Sequence, residues 1–182
     1  MMHLMLDSYW LADEGFYRSR ILSSGARSTK ELDIAVVLAA IHAQGQEEAH
    51  TPHDPRIHAT LFRLEALFDA LYPINRNRSA DAAPAMGRYA GDRYFSGGAY
   101  YFSTLGAAEL CFRAAAGRED AADWIKRGDA FLATVRAFTP ANGEMSEQFD
   151  QRSGAQTSAR HLAWSYAAFI SCVSARSKSL AR

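Results

Sequence analysis

The sequence predicts an all-α fold built in two layers. Three observations carry that prediction: amphipathic segments recur, apolar segments rich in small residues recur, and the two kinds alternate along the chain. Segment 8–22 is read as the first amphipathic helix, with the weakest pattern of the set. Ile34-Ala35-Val36-Val37-Leu38-Ala39-Ala40-Ile41 follows as the first helix apolar on all sides. In 55–72, Ile57, Leu61, Leu64, Phe68 and Leu71 recur at spacings of four, three, four and three, which is one face of a helix. Arg56, Arg63, Glu65 and Asp69 take its other faces, and Pro73 ends it. Segment 101–116, with Leu105-Gly106-Ala107-Ala108 and Ala114-Ala115-Ala116, is the second apolar helix. In 120–138, Trp124, Ile125, Gly128, Phe131, Leu132, Val135 and Phe138 trace the third amphipathic stripe. Segment 159–175, with Leu162-Ala163-Trp164-Ser165-Tyr166-Ala167-Ala168-Phe169, is the third apolar helix.

A helix apolar all round is expected to be buried all round. Alternation therefore places three solvent-facing helices over three inner ones, which is half of an (α/α)6 barrel. Pattern alone also admits an ordinary helical bundle with a large core. Residues 1–182 are expected to form one such unit, since 182 residues suffice for a single cored domain. The connections from amphipathic to apolar segments are long, at about 21–30, 73–100 and 139–157. All three are expected at one end of the half-barrel. Their Tyr, Arg, Asp and Glu content points to function rather than to spacer.

Composition narrows the partners. Lys plus Arg equals Asp plus Glu at 20 each, and the basic residues are scattered, so neither nucleic acid nor an anionic membrane is expected. No run approaches the roughly 20 apolar residues of a membrane span. The stretch from Met1 to Asp7 is too short and too uncharged for a signal peptide. The chain reads as soluble, with its localisation open and an export signal possible upstream of this start. Cys111 and Cys172 both lie in apolar runs and read as buried thiols rather than a disulfide framework. His50 and His53 lack a third ligand at a recognisable spacing, so no metal is expected. Glu47-Glu48 reads as a charged helix end. No phosphate-binding glycine loop or nucleophile elbow is present, and no cofactor is expected.

The chemistry-bearing stretch is Asn142-Gly143-Glu144-Met145-Ser146-Glu147-Gln148-Phe149-Asp150, continued by Gln156-Thr157-Ser158-Ala159-Arg160 and Trp164-Ser165-Tyr166-Ala167-Ala168. Asn142-Gly143 is a turn, and Thr157 or Ser158 is a candidate cap for the next helix. The run resembles the catalytic-base region of the glucoamylases, the family-15 glycoside hydrolases. There Gly-x-Met-Ser-Glu-Gln-[Phe/Tyr]-Asp precedes Gln-x-Ser-Ala-Arg and Trp-Ser-Tyr-Ala-Ala. The resemblance implies that Glu147 is the general base and that Trp164 lines the sugar site. Gly87-Arg88-Tyr89-Ala90-Gly91-Asp92-Arg93-Tyr94-Phe95-Ser96-Gly97-Gly98-Ala99-Tyr100 is similar to the family's Gly-Arg-Tyr-Pro-Glu-Asp-x-Tyr-x-x-Gly-Asn-Pro-Trp loop. By position Arg88 and Asp92 would hold the terminal glucose, Tyr94 would border it, and Tyr100 stands where the family has Trp. Here Ala90-Gly91 replaces Pro-Glu, Gly98-Ala99 replaces Asn-Pro, and His161 replaces an acidic residue. Leu6-Asp7-Ser8-Tyr9-Trp10 and the stretch from Leu32-Asp33 to Ile41-His42 carry the match to the start of the chain.

The resemblance implies an inverting exo-hydrolase that takes glucose from the non-reducing ends of α-1,4-glucans, with α-glucan or maltooligosaccharide as partner. It also implies that this chain is the carboxyl-terminal half of the catalytic domain. The family's acid comes from a Trp-Glu-Glu type motif in the other half, and Glu14, Glu31 and Glu109 do not match it. The isolated chain is accordingly expected to lack hydrolytic activity, to need the missing amino-terminal half of the barrel, and to self-associate through open inner helices. The alternative is a non-catalytic helical remnant or glucan-binding module. Members of the family are often secreted or periplasmic.

Overall fold

The computed structural model describes residues 6–43 and 49–181. Its long elements are five α-helices: α1 (Ala35–His42), α2 (Pro55–Leu71), α3 (Tyr101–Ala114), α4 (Ala121–Ala137) and α5 (Ala163–Leu180). Two small antiparallel sheets accompany them. Strands β1 (Trp10–Leu11) and β2 (Phe16–Tyr17) form a hairpin, and β3 (Ala99–Tyr100), β4 (Gln148–Phe149) and β5 (Gln156–Thr157) form a three-stranded sheet in that order. Glu47-Glu48 lies outside the described residues.

Helix α2 begins where Asp54 caps it, accepting a hydrogen bond from Arg56 N at 2.8 Å, with Pro55 in the first turn. It buries Ile57, Leu61, Leu64 and Phe68 of the face its spacing foretold, while Leu71, at its last turn, is exposed instead. Helix α4 buries Trp124, Gly128, Phe131 and Val135 in the same way. These two are the outer layer. Helix α3 is the centre of the inner layer: Tyr101 to Phe112 are all buried. It packs against α1 on one side and α5 on the other, and also against α4. Fully burying each large apolar side chain contributes roughly 1.5–3 kcal/mol, so α3 and its partners supply most of the cohesion.

Two readings need correction. Segment 8–22 is a β-hairpin, not an amphipathic helix. Trp10 pairs with Tyr17 and Leu11 with Phe16, and Gly15 takes φ 70° in the turn. A left-handed residue ends a helical path, and the aromatic pairs suit a pleated strand better. Second, α1 and α5 are not buried on every side. Ala35 and Ala39 on α1 are exposed, as are Trp164, Phe169, Ile170 and Val173 on α5. Each of these inner helices has a flank that no described residue covers.

The long loops do meet at one end. Tyr100 pairs with Gln148 and Ala99 with Phe149, so the 73–100 and 139–157 connections are sewn together. Asp33 bridges Tyr89, and Ile34 N donates to Arg88 O at 2.9 Å, which draws in the segment before α1. Both cysteines are free and buried, and burial pushes the Cys172 thiol up to about 12. Among the described residues no helix is long and apolar enough to cross a membrane.

Candidate active site

The site is built on this loop end, around Asp92. Arg88 forks onto it, with Nε 2.7 Å from Oδ2 and Nη2 2.8 Å from Oδ1. The Tyr100 hydroxyl donates to Oδ2 at 3.0 Å and Tyr94 N to Oδ1 at 3.1 Å. Burial alone would raise the Asp92 carboxyl, but these donors outweigh it and hold it below the ordinary carboxylate range. The Arg88 hydrogen bond to Asp92 in turn keeps the guanidinium charged. Three rings surround that cation, those of Tyr89, Tyr94 and Tyr100, with centroids 5.4, 5.6 and 5.0 Å away. Arg88 is therefore fixed in direction while a third of its side chain stays open to solvent.

Gly87 explains how the loop is held. A Cβ there would lie 1.9 Å from the Tyr72 hydroxyl oxygen and 2.6 Å from the Phe68 ring. The absent side chain lets Tyr72 pass and donate toward Gly97 O and Gly98 O, each at 3.1 Å. One turn of the loop is thus anchored from the end of α2.

Glu147 sits one residue before β4. Its carbonyl accepts from Tyr101 N at 3.4 Å, and its own N–H donates to Ala159 O at 2.8 Å. Ser158 Oγ donates to Oε2 of Glu147. The carboxylate is therefore half-buried and oriented, next to the first turn of α3. Gln148, fully buried beside it, donates from Nε2 to Tyr94 O at 3.3 Å. Trp164, at the start of α5, is 54% exposed and stacks on Phe102 with centroids 4.1 Å apart and planes 4° off parallel.

The structure thus links Arg88, Asp92, Tyr94 and Tyr100 by direct contacts. It ties Glu147 to them through Gln148 and the β3–β4 ladder. Trp164 joins through Phe102, which neighbours Tyr100 at 5.1 Å between ring centroids. Sequence reading missed three participants. Ser158 was read as a helix cap, yet the N-cap of α5 is Leu162 and Ser158 serves Glu147 instead. Asp33 was read only as part of a matching stretch, yet it lies under the site. Burial raises its carboxyl, against hydrogen bonding from Ala35 N and the charges of Arg20 and Arg88. Phe95 is 62% exposed with φ 51°, and Ser158 and His161 also have positive φ, at 68° and 50°. Non-glycine residues seldom adopt that region, and such strain gathers at functional loops.

Glu14, Glu31 and Glu109, the glutamates weighed as the missing acid, are engaged elsewhere. Arg27 pairs with Glu14 at 2.6 Å and also with Glu31. Glu109 accepts from Arg113 and from Ser171, both at 2.8 Å. Among the described residues no group of three His, Cys, Asp or Glu gathers as a metal site would require.

The arrangement of alternating outer and inner helices, with all long loops at one end, defines the class: part of an (α/α)6 toroid. The family follows. The profile of "Glycosyl hydrolases family 15" matches residues 3–127 and 119–174, and the chain belongs to that family. It is 30% identical to the glucoamylase of Neurospora crassa over 93% of this chain and 33% of the relative. It is 27% identical to glucoamylase 1 of Rhizopus oryzae over 91% of this chain and 34% of the relative. The glucoamylase structure from Hormoconis resinae superposes with a TM-score of 0.82 at 26% identity, over 97% of this chain and 37% of that one. That from Hypocrea jecorina gives 0.84 at 25% identity, over 97% and 36%. The chain therefore spans about a third of the length of the curated relatives it matches.

Proposed function

We propose that this chain is the base-bearing arc of an inverting α-1,4-glucan exo-hydrolase, with Glu147 as the general base. Arg88 and Asp92 would grip the hydroxyls of the terminal glucose, because both offer directional hydrogen bonds. Tyr94, Tyr100 and Trp164 would supply the flat apolar walls against which a pyranose packs. Glu147 would take a proton from water on the face of the sugar opposite the leaving oxygen. The oriented water then attacks, and the ring carbon inverts. Ser158 fixes the carboxylate without displacing it from solvent. Glu14, Glu31 and Glu109, the glutamates weighed as the acid, are engaged in ion pairs with Arg27 and Arg113, which supports an acid supplied from elsewhere in the toroid. A complementary arc of the toroid would bring it, at the roughly 6.5–9.5 Å separation that inversion uses.

The observation that supports the reading is the ladder contact between Tyr100, whose hydroxyl bonds Asp92, and Gln148, which follows Glu147 in the chain. Titration of the chain with maltoheptaose, followed by tryptophan fluorescence, tests the sugar-binding part. Saturable quenching is expected, lost in Trp164→Phe and weakened at least about tenfold in Arg88→Ala, as removal of a charge-assisted hydrogen bond implies. Equal binding by wild type and Arg88→Ala would overturn the assignment.

A further inference from the structure

We propose that Gln156 is a positioning residue for Glu147: its carboxamide holds the backbone that leads into the base and so sets where the carboxylate stands. The inference rests on the reading of Glu147 as the base.

Residues 144–147 belong to no helix or strand. Their backbone polar groups still need partners, because leaving one unpaired away from water costs about as much as a lost hydrogen bond. Side chains supply them. Gln156 Nε2 donates to Glu144 O at 2.7 Å, and Gln156 Oε1 accepts from Ser146 N at 2.9 Å. The Tyr166 hydroxyl accepts from Met145 N at 3.1 Å, and Ser165 Oγ donates to Ser146 O at 2.7 Å. Gln156 makes two of these bonds with one planar group. Its two partners also fix which end of the amide is nitrogen, since a carbonyl only accepts and an N–H only donates.

Gln156 grips the chain on both sides of the base. Its backbone lies in β5 and pairs with Phe149, beyond Glu147. Its side chain holds Glu144 and Ser146, ahead of Glu147. The base therefore stands between two attachments to a single residue. The chain then runs from β5 into the segment that touches Glu147 itself. Ser158 Oγ donates to Oε2 of Glu147, and Ala159 O accepts from Glu147 N at 2.8 Å. Met145 and Ser146 are buried, so without the amide this backbone has to shift to find water. Glu147 would shift with it, away from Ser158. A misplacement of about 1 Å at a reacting group costs roughly 10²-fold in rate.

Amide hydrogen exchange of the purified chain, followed by NMR, tests the clamp without turnover. Gln156→Met keeps the length and removes both polar atoms. Its Ser146 N–H should exchange at least about fivefold faster than in wild type, with Leu110 N–H in α3 unchanged. Gln156→Ala is a second variant should the first lose helix by far-UV circular dichroism. Equal exchange at Ser146 would overturn the proposal whatever the activity. The consequence for the base is read in β-glucose release from maltoheptaose, with the chain mixed with an amino-terminal family-15 arc. In Gln156→Met kcat should fall about 10- to 10²-fold while KM stays within about twofold, as loss of orientation without loss of binding implies. An unchanged kcat, or a loss carried by KM alone, would overturn the positioning role. A mixture without turnover, or with turnover undiminished in Glu147→Gln, would overturn the reading of the base and this inference with it, while the exchange at Ser146 reports separately on the clamp.

Discussion

Tyr100 and Gln148 face each other across the antiparallel β3–β4 ladder, and each reaches to the other's side of the site. The Tyr100 hydroxyl bonds Asp92 Oδ2 at 3.0 Å, and Gln148 Nε2 bonds Tyr94 O at 3.3 Å. Burial and the Asp92 charge push the Tyr100 hydroxyl well above its ordinary range, so it acts as a fixed donor. Tyr100→Phe should therefore cost about 1.5–3 kcal/mol, the value of a hydrogen bond to a charged group. Thermal unfolding followed by circular dichroism should show a midpoint lower by roughly 3–12 °C for a chain of this size. An unchanged midpoint would mean that water replaces the hydroxyl without loss.

Gly87→Ala should be among the most damaging single-methyl additions in the chain. The new Cβ would overlap Tyr72 Oη at 1.9 Å, so Tyr72 must swing away from Gly97 O and Gly98 O. Overpacking of this kind costs roughly 1–3 kcal/mol, and the lost hydrogen bonds add to it. Pairing the change with Tyr72→Phe tests the cause. If the hydroxyl clash dominates, the double variant should recover part of the lost stability in denaturant titration; a fully additive pair would place the clash elsewhere.

Glu65 provides a pH signature in the helical layers. Burial raises its carboxyl to about 7, against the pull of Arg127, whose Nε is 3.5 Å away. The folded chain therefore holds a proton there that the unfolded chain releases near its ordinary value. Protons bound in the folded state exceed those in the unfolded state between about pH 4.5 and 7, so stability falls as pH rises through that window. From this group alone the folded state should be roughly 2–3 kcal/mol less stable at pH 8 than at pH 4.5. Glu65→Gln should flatten the dependence. Urea midpoints measured across the window for both proteins check it, and equal slopes would exclude Glu65 as the source.

The outer helices were legible because their burial is one-sided: Leu61, Leu64 and Phe68 have to recur on one face of α2, and that period is written in the sequence. The hairpin at Trp10–Tyr17 was not legible as strand, since two-residue strands are too short to show a period of two. The open flanks of α1 and α5 were foreseen as a consequence of a half-barrel. Which residues stand open was not, because an apolar helix looks alike whether its neighbour is present or absent. Of the candidate site, Glu147, Arg88 and Asp92 stood out through family resemblance. Ser158 did not, because its role depends on a left-handed backbone at φ 68° that composition does not reveal.

The measurement that bears most directly on the central claim is glucose release from maltoheptaose by the purified chain, alone and mixed with an arc carrying the amino-terminal part of a family-15 catalytic domain. The account predicts no release by the chain alone. In the mixture it predicts β-glucose, detected by polarimetry, with Glu147→Gln lowering the rate by about 10²–10⁴-fold as loss of a general base implies. Brisk release by the chain alone, continuing undiminished in Glu147→Gln, would contradict it.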